Sequence, residues 1–409
     1  MKGQRLFPPL AIALVTLQPV TQLWARDLVD LIPGLYGGDG ITLAVNVENP
    51  QFDHSAHFAI ESGAAINRLN ELIAGEVRPF PITPSAGGVT FEFDPARGTY
   101  METSENLGPL VTERPQTLGK GRFSLGLAFT YFEYDEFEGE DLSSFQAVAV
   151  HDFDIIPPPD TPEEFEHDTL LVDFDIDLRF ASLALSGVYG VTDRLDLSVI
   201  IPIIDVDMDV NANATVVRSP LNTIGNVHSF DPNIESPTDS ASGSATGIGD
   251  ILLGAKYYWL TEDKYGLAGA VRLKLPTGNE DDFLGTGTTS IQPFLIGAYK
   301  LYDSQTIHVN ARTNLGFEID FDDSWRNEFI YAVGVDAGNR TVTGAVDLIG
   351  RRELDDHDGI GKNIVDVAVG LKWSPIRNLI VSGNVLLPAN DEGLRSDIIG
   401  TVGIEYRNF

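Results

Sequence analysis

Cysteine is absent from this 409-residue chain, so disulfides and thiolate chemistry play no part in it. Positive charge is scarce. There are 27 Lys and Arg against 60 Asp and Glu, a formal net charge of −33. That balance excludes a nucleic-acid partner, because two polyanions repel. It also excludes attachment to anionic lipid through basic patches. Long apolar runs are missing beyond the first 25 residues, where nothing reaches the roughly 18 apolar residues of a membrane helix. Histidine is sparse, and six of the seven (His54, His57, His151, His167, His228 and His357) fall in the N-terminal segment or in long connections. His308 alone sits in a strand-like stretch, and no serine partner is indicated for it. The chain is therefore read as no enzyme, with no cofactor.

What is present is alternation. Residues 169–217 hold the clearest case. In the stretch from Val172 to Phe180, apolar and charged residues alternate strictly, the mark of a strand with one oily and one wet face. A second such stretch follows a short turn at 191–194. Each is roughly 20 residues long, where globular strands have about 5 or 6. Long two-faced hairpins suit the wall of a closed barrel with lipid outside and water inside.

The first 25 residues read as a signal peptide. Lys2 and Arg5 form the basic start, Leu10 to Leu17 the apolar stretch, and Ala25 the cleavage region. Residues 26–121 form a separate N-terminal segment, a plug in the lumen or a periplasmic extension. Within it, 55–74 has helical spacing closed by Gly75, and 89–103 has the pattern of a short hairpin.

Residues 122–409 form the barrel. Twelve strands are predicted, at 122–134, 168–190, 194–217, 247–260, 264–276, 288–301, 305–320, 326–337, 340–352, 363–374, 377–388 and 396–409. Short and long connections alternate, as in outer-membrane barrels with periplasmic turns and extracellular loops. The 89–103 hairpin would raise the count to fourteen. The fold class is all-β, a transmembrane antiparallel barrel integral to a bacterial outer membrane. Tyr257, Trp259, Tyr299, Trp373 and Tyr406 lie near strand ends, where interfacial aromatics belong.

One block carries a family resemblance. It comprises Thr246-Gly-Ile-Gly-Asp-Ile-Leu-Leu-Gly-Ala-Lys-Tyr, then Gly266 through Leu275-Pro-Thr-Gly-Asn-Glu, then Leu284-Gly-Thr-Gly. It resembles the outer-membrane transporters of the phenol-degradation meta-pathway family, which are similar in architecture to long-chain fatty-acid and aromatic-hydrocarbon channels. The resemblance covers about residues 120–409. It implies passive uptake of hydrophobic or aromatic small molecules, and it transfers no residue-level motif. A structural or adhesive barrel and a general cation-selective porin are the alternatives. Outer-membrane lipid, lipopolysaccharide and, through the terminal Phe409, the barrel-assembly machinery are the expected partners.

Since lipid cannot hydrate charge, the charged face of each strand is expected to line the lumen. The candidate lumen residues are Asp173, Asp175, Asp177, Arg179, Asp205, Asp207, Asp209, Arg272, Lys274, His308, Arg312 and Arg351. A turn near Thr192 would set Asp177 opposite Asp207, Asp175 opposite Asp209 and Arg179 opposite Asp205. Solvent, basic residues across the lumen, or a cation would then relieve the repulsion. In 194–217 the odd positions change from apolar (Leu195 to Ile203) to acidic (Asp205 to Asp209). A one-residue bulge beside Pro202, kinking the wall, is predicted there.

Overall fold

A computed structural model describes residues 27–35, 41, 43–44, 91–94, 99–102, 106–150, 168–220, 228–230, 237–262, 264–321, 327–354 and 363–408. The signal peptide and the 55–74 helix lie outside the described residues. So does Phe409. No helix among the described residues is long and apolar enough to cross a membrane. Strands do the crossing.

The strands, in chain order, begin with the hairpin β1 (Phe91–Asp94) and β2 (Thr99–Glu102). Then come β3 (Phe123–Tyr134), β4 (Glu136–Phe137), β5 (Glu140–Asp141) and β6 (Phe145–Val150). The long pair β7 (Thr169–Thr192) and β8 (Leu195–Val217) precedes β9 (Thr238–Ile248) and β10 (Ile251–Thr261). There follow β11 (Tyr265–Leu275), β12 (Ser290–Asp303), β13 (His308–Asp320) and β14 (Glu328–Gly338). The last are β15 (Val342–Glu353), β16 (Asn363–Ile376), β17 (Leu379–Pro388), β18 (Leu394–Arg395) and β19 (Ile399–Arg407).

Twelve of these close a ring, each antiparallel to the next: β3, β7, β8, then β10 through β17, then β19, which returns to β3. They correspond to the twelve strands expected from alternation. The β1–β2 hairpin is a separate two-stranded sheet and adds nothing to the ring. Closure removes the open edges that lipid could not hydrogen-bond.

The outside of the ring is apolar. Leu125, Leu127, Phe129, Leu185, Leu197, Leu253, Val333, Val346, Leu371 and Val402 all stand exposed. At the short-turn end, Tyr189, Tyr257, Trp259, Tyr265, Tyr299, Trp373 and Tyr406 are exposed on the same surface. That aromatic rim marks the periplasmic edge of the bilayer. An outer belt of this kind makes the protein an integral outer-membrane barrel.

Two strands outgrow the membrane. β7 has 24 residues and β8 has 23, while a tilted strand crosses the hydrocarbon core in about 9–11. Their outer halves carry partners found nowhere in the ring. β6 pairs with 169–174 of β7, and β9 pairs with 203–213 of β8. The result is a four-stranded sheet, β6-β7-β8-β9, standing above the ring on the long-loop, extracellular side. We call it the canopy.

The canopy corrects the expectation for the acidic residues. Along β8 the even positions Ile204, Val206, Met208 and Val210 are buried, and the odd positions Asp205, Asp207 and Asp209 are exposed. Those odd positions share their face with Leu197, Val199, Ile201 and Ile203 of the lipid belt. β7 behaves alike, with Leu170, Val172, Phe174, Ile176, Leu178 and Phe180 buried. Asp173, Asp175, Asp177 and Arg179 therefore stand on the outer wall, with Asp205, Asp207 and Asp209, and not in the lumen. The face never switches. The surroundings switch, from lipid to water, between Ala181 and Arg179 on β7 and between Ile203 and Asp205 on β8.

For the same reason there is no bulge at Pro202. The β7–β8 register runs without a shift from Thr169↔Val217 to Gly190↔Asp196. What changes at Pro202 is the partner on its other side: β10 pairs up to Ile200, and β9 from Ile203. The Pro202 carbonyl accepts from Gly249 N–H at 2.9 Å. Its ring nitrogen faces that same corner, where the partner chain bends, so no ladder bond is lost.

The hairpin register also differs from expectation, by two residues. Asp177 lies across from Asp209, Arg179 from Asp207 and Asp175 from Asn211. The reversal centres on Asp193–Arg194, and the one irregularity falls between Gly190 and Thr192.

The inner face of the canopy is a hydrophobic core. Leu28, Leu31, Ile32 and Leu35, from 3-10 turns at Leu28–Asp30 and Pro33–Leu35, pack with Phe174, Ile176, Val206 and Met208. Each such side chain contributes about 1.5–3 kcal/mol when fully buried. β9 permits this approach because its inward residues are small. A Cβ on Gly243 would meet Leu28 Cδ2 at 2.7 Å.

Candidate luminal site

In the membrane band the inward face is polar, and the chain itself fills it. Residues 106–118 are almost wholly buried and run across the periplasmic half of the lumen, ending where β3 begins. They have no regular secondary structure, so their backbone groups need other partners. The wall supplies them.

Asp347 of β15, 0% exposed, accepts Leu110 N–H at 3.2 Å, Val111 N–H at 2.9 Å and the Thr112 hydroxyl at 2.8 Å. Thr343 Oγ1 accepts Leu107 N–H at 2.8 Å, and Asn314 Oδ1 accepts Glu113 N–H at 3.2 Å. Asp336 of β14 accepts from Asn106, Asn310 and Arg312. Nearer the periplasm, Asp196 accepts Leu118 N–H at 3.0 Å, and the Asp193 carbonyl accepts the Thr117 hydroxyl at 2.7 Å.

Charge is paired across the segment as well. Glu113 is 4% exposed and bonds to Arg272 of β11, with Lys256 of β10 at 3.8 Å. Lys256 Nζ also donates to the Arg114 carbonyl at 3.0 Å. The Arg272 guanidinium lies 4.7 Å from the centroid of the Phe294 ring. Removing one partner of such a buried pair strands the other in a dry site, at about 3–5 kcal/mol.

The five remaining residues expected in the lumen all face inward. Arg272 holds Glu113. Lys274, 1% exposed, bridges to Glu318 at 3.1 Å and Asp320 at 3.9 Å. Arg312 pairs with Asp336. His308 Nδ1 lies 2.8 Å from Asp303 Oδ1 at the periplasmic rim. Arg351 lies near Asp366 and Arg395 at the extracellular mouth. The acidic ladder is elsewhere, on the canopy's outer wall, where Arg179 bridges Asp177 at 2.8 Å and Asp209 at 2.9 Å. Among the described residues no group of His, Asp and Glu is arranged to hold a metal ion.

Residues that sequence reasoning missed are the wall acids Asp196, Asp336 and Asp347 and the luminal partners Asn106, Thr112, Glu113 and Arg114. A signal existed for the first group. Asp336 and Asp347 each stand alone among apolar and small residues, so each needs a partner inside. The luminal segment has no periodicity to read.

The family-like block also acquires a role. Asp250, 3% exposed, accepts Thr286 N–H at 2.8 Å, Thr286 Oγ1 at 2.9 Å and Gly278 N–H at 3.1 Å. Thr277 Oγ1 donates to the Gly249 carbonyl at 2.7 Å and accepts from Ile251 N–H at 3.1 Å. A Cβ on Gly249 would meet Ile204 Cδ1 at 2.5 Å. The GIGD and LPTG pieces thus pin the β11–β12 loop to the corner where the chain passes from β9 of the canopy to β10 of the ring.

Among solved structures, an outer membrane channel from Pseudomonas putida F1 is 15% identical, covering 72% of this chain and 97% of its own, at a TM-score of 0.41. The toluene transporter TbuX of Ralstonia pickettii is 12% identical, covering 74% and 94%, at 0.36. The NanC porin is 9% identical, covering 69% and 98%, also at 0.36. Likenesses this loose concern barrel form alone. No curated protein matches the chain. The family model described as the putative MetA-pathway of phenol degradation matches residues 167–387, more than half of the sequence. The chain belongs to that family.

Proposed function

We propose that this protein is a passive outer-membrane channel for hydrophobic or aromatic small molecules. The observation that carries the reading is the division of the interior. The extracellular half is filled by packed apolar and aromatic side chains such as Phe132, Phe180, Val206 and Met208, closed over by Leu28, Leu31 and Leu35. The periplasmic half is crossed by 106–118 and sealed by ion pairs. Apolar packing that a solute must part favours oily solutes over ions, and the seal opposes the steady ion flow of a general porin. Arg272, Lys274, His308, Arg312 and Arg351 are the basic and titratable lining of this pathway, and Glu113 with its partners is its latch. Surrounding lipopolysaccharide and, during biogenesis, the barrel-assembly machinery are the further partners of this reading. Membership of a family described by phenol degradation agrees with an aromatic permeant.

Conductance and uptake test the reading together. Purified protein in planar bilayers should pass little steady current, and cells that produce it should take up a labelled monoaromatic faster than cells that lack it. Large cation-selective currents would replace it with a porin. Equal uptake across several hydrophobic solutes would leave a structural barrel.

A further inference from the structure

Two donors on the inner wall lack acceptors. Lys372 of β16 faces the lumen and is 8% exposed. Among the described residues its ammonium makes no hydrogen bond and no ion pair. The acids around it are spent elsewhere. Asp347 accepts from the luminal segment, Asp336 holds Arg312, and Glu405 of β19 accepts the Ser124 hydroxyl at 2.8 Å. Glu405 in turn has Arg407, Lys372 and Arg114 near it, three cations about one acid. Directly across from Lys372 on β17 stands Ser382. Its hydroxyl also has no hydrogen-bond partner among the described residues.

Space is left beside the pair. Where the luminal segment is bonded to the wall, Asp336, Thr343, Ala345 and Asp347 are buried. On β17 and β19 the inward residues Ser382, Asn384, Thr401 and Gly403 stay partly exposed. Gly403 keeps this room open, since a Cβ there would meet Ser382 Oγ at 2.7 Å. A buried ammonium without a counter-ion is costly. Side chains directly opposite on neighbouring strands have Cβ atoms about 5 Å apart, so the ammonium and the hydroxyl can share one acceptor. Water would satisfy the donors and leave the charge; an anion answers both. We propose that Lys372 and Ser382 bind a small monovalent anion of halide size, a counter-ion held in the lumen wall beside the luminal segment. The inference is independent of what the channel passes.

Halide titration of the purified full chain in detergent tests it, with sodium chloride or bromide exchanged for sodium gluconate at constant ionic strength. The thermal unfolding midpoint of the wild type should rise saturably with either halide, because a ligand that binds only the folded state stabilises it. Crystals in bromide should show an anomalous peak between Lys372 Nζ and Ser382 Oγ. Lys372→Met keeps an unbranched side chain and removes the charge. It should abolish both the rise and the peak. Ser382→Ala should raise the half-saturating halide concentration about fivefold, the worth of one hydrogen bond. A wild-type midpoint indifferent to halide overturns the inference and leaves water beside Lys372. Bromide peaks found only elsewhere overturn it too. A halide response unchanged in both variants places the anion at another cation and sinks the assignment. Heat-modifiable gel migration reports whether K372M folds; if it does not, S382A and the bromide peak decide.

Discussion

The membrane band and the canopy are built from the same strands with their polarity exchanged. In the band, β7 and β8 turn Leu185, Leu197 and Val199 outward and Asp196 and Ser198 inward. A few residues further along the same faces, Asp177 and Asp207 point outward and Phe180 and Val206 inward. No bulge intervenes. The medium outside the wall changes from hydrocarbon to water, and the filling inside changes from a polar segment to an apolar core. Strand geometry fixes only that neighbouring residues face opposite ways. Which face is the oily one is set by what surrounds the wall at each height.

The sharpest way to break this comparison is to exchange adjacent residues of one strand. Val206→Asp places a charge in the dry canopy core, where no partner waits. It should destabilise the fold by about 3–5 kcal/mol, the scale of an uncompensated buried charge. Asp207→Val, one position on, should stay within about 0.5 kcal/mol, as exposed substitutions do. Urea unfolding in detergent measures both. If the ladder faced the lumen, the two costs would be reversed.

That pair of positions also shows where the sequence was legible and where it was not. All twelve ring strands were readable because alternation is strong in each. The side of the wall on which Asp205, Asp207 and Asp209 stand was not. A strand with charges on alternate residues reads the same whether water lies in the lumen or beyond the membrane. β9 went unseen because Ser240, Ser242 and Ser244 alternate with Ala241, Gly243 and Ala245, a pattern with little hydrophobic contrast. Its small residues make sense only beside Leu28 and Leu31, which are distant in sequence. The luminal segment was hidden differently. Its order comes from wall residues such as Asp347 and Asn314, 200 or more positions away.

In the band, the interior can be tested at Glu113. Glu113→Ala leaves Arg272 and Lys256 facing each other without their anion. The closed state should lose about 3–5 kcal/mol. Planar bilayers should then show ion current that the parent protein lacks, while unfolding of the barrel wall changes little. Unchanged current would mean that the backbone bonds to Asp347 and Asp196 hold the segment without the ion pair.

The outside of the band gives a smaller effect. Leu185→Arg puts a cation on the lipid face, midway along β7 between the rim residue Tyr189 and the water-facing Arg179, and should cost about 2–4 kcal/mol. Arginine in place of Asp209, on the same face but in the canopy, gives up the exposed bridge to Arg179 and should cost at most about 1 kcal/mol. A similar cost at both sites would place the outer membrane boundary above Asp209 and remove the canopy from water.

The smallest expected effect is a pH dependence at the extracellular rim of β3. Asp135, half-buried just past that strand, is held above the ordinary carboxylate range. Desolvation is the main cause, and the charges of Asp397 and Asp141 add to it. The Asp397 N–H, donating at 2.9 Å, pulls the other way without cancelling the shift. The folded state therefore holds this proton more tightly than the unfolded chain does. Its stabilising contribution is complete below the unfolded value of 3.8 and is lost as pH rises through the folded value. Protease nicking between β17 and β19 should become easier over that window, and Asp135→Asn should remove the slope. The change is modest because solvent screens a half-exposed group. An equal slope in D135N would assign the titration to the neighbouring carboxylates. A buried wall acid such as Asp347 is satisfied by fixed donors, whereas a rim acid such as Asp135, with one backbone donor and half its surface in water, answers to the pH.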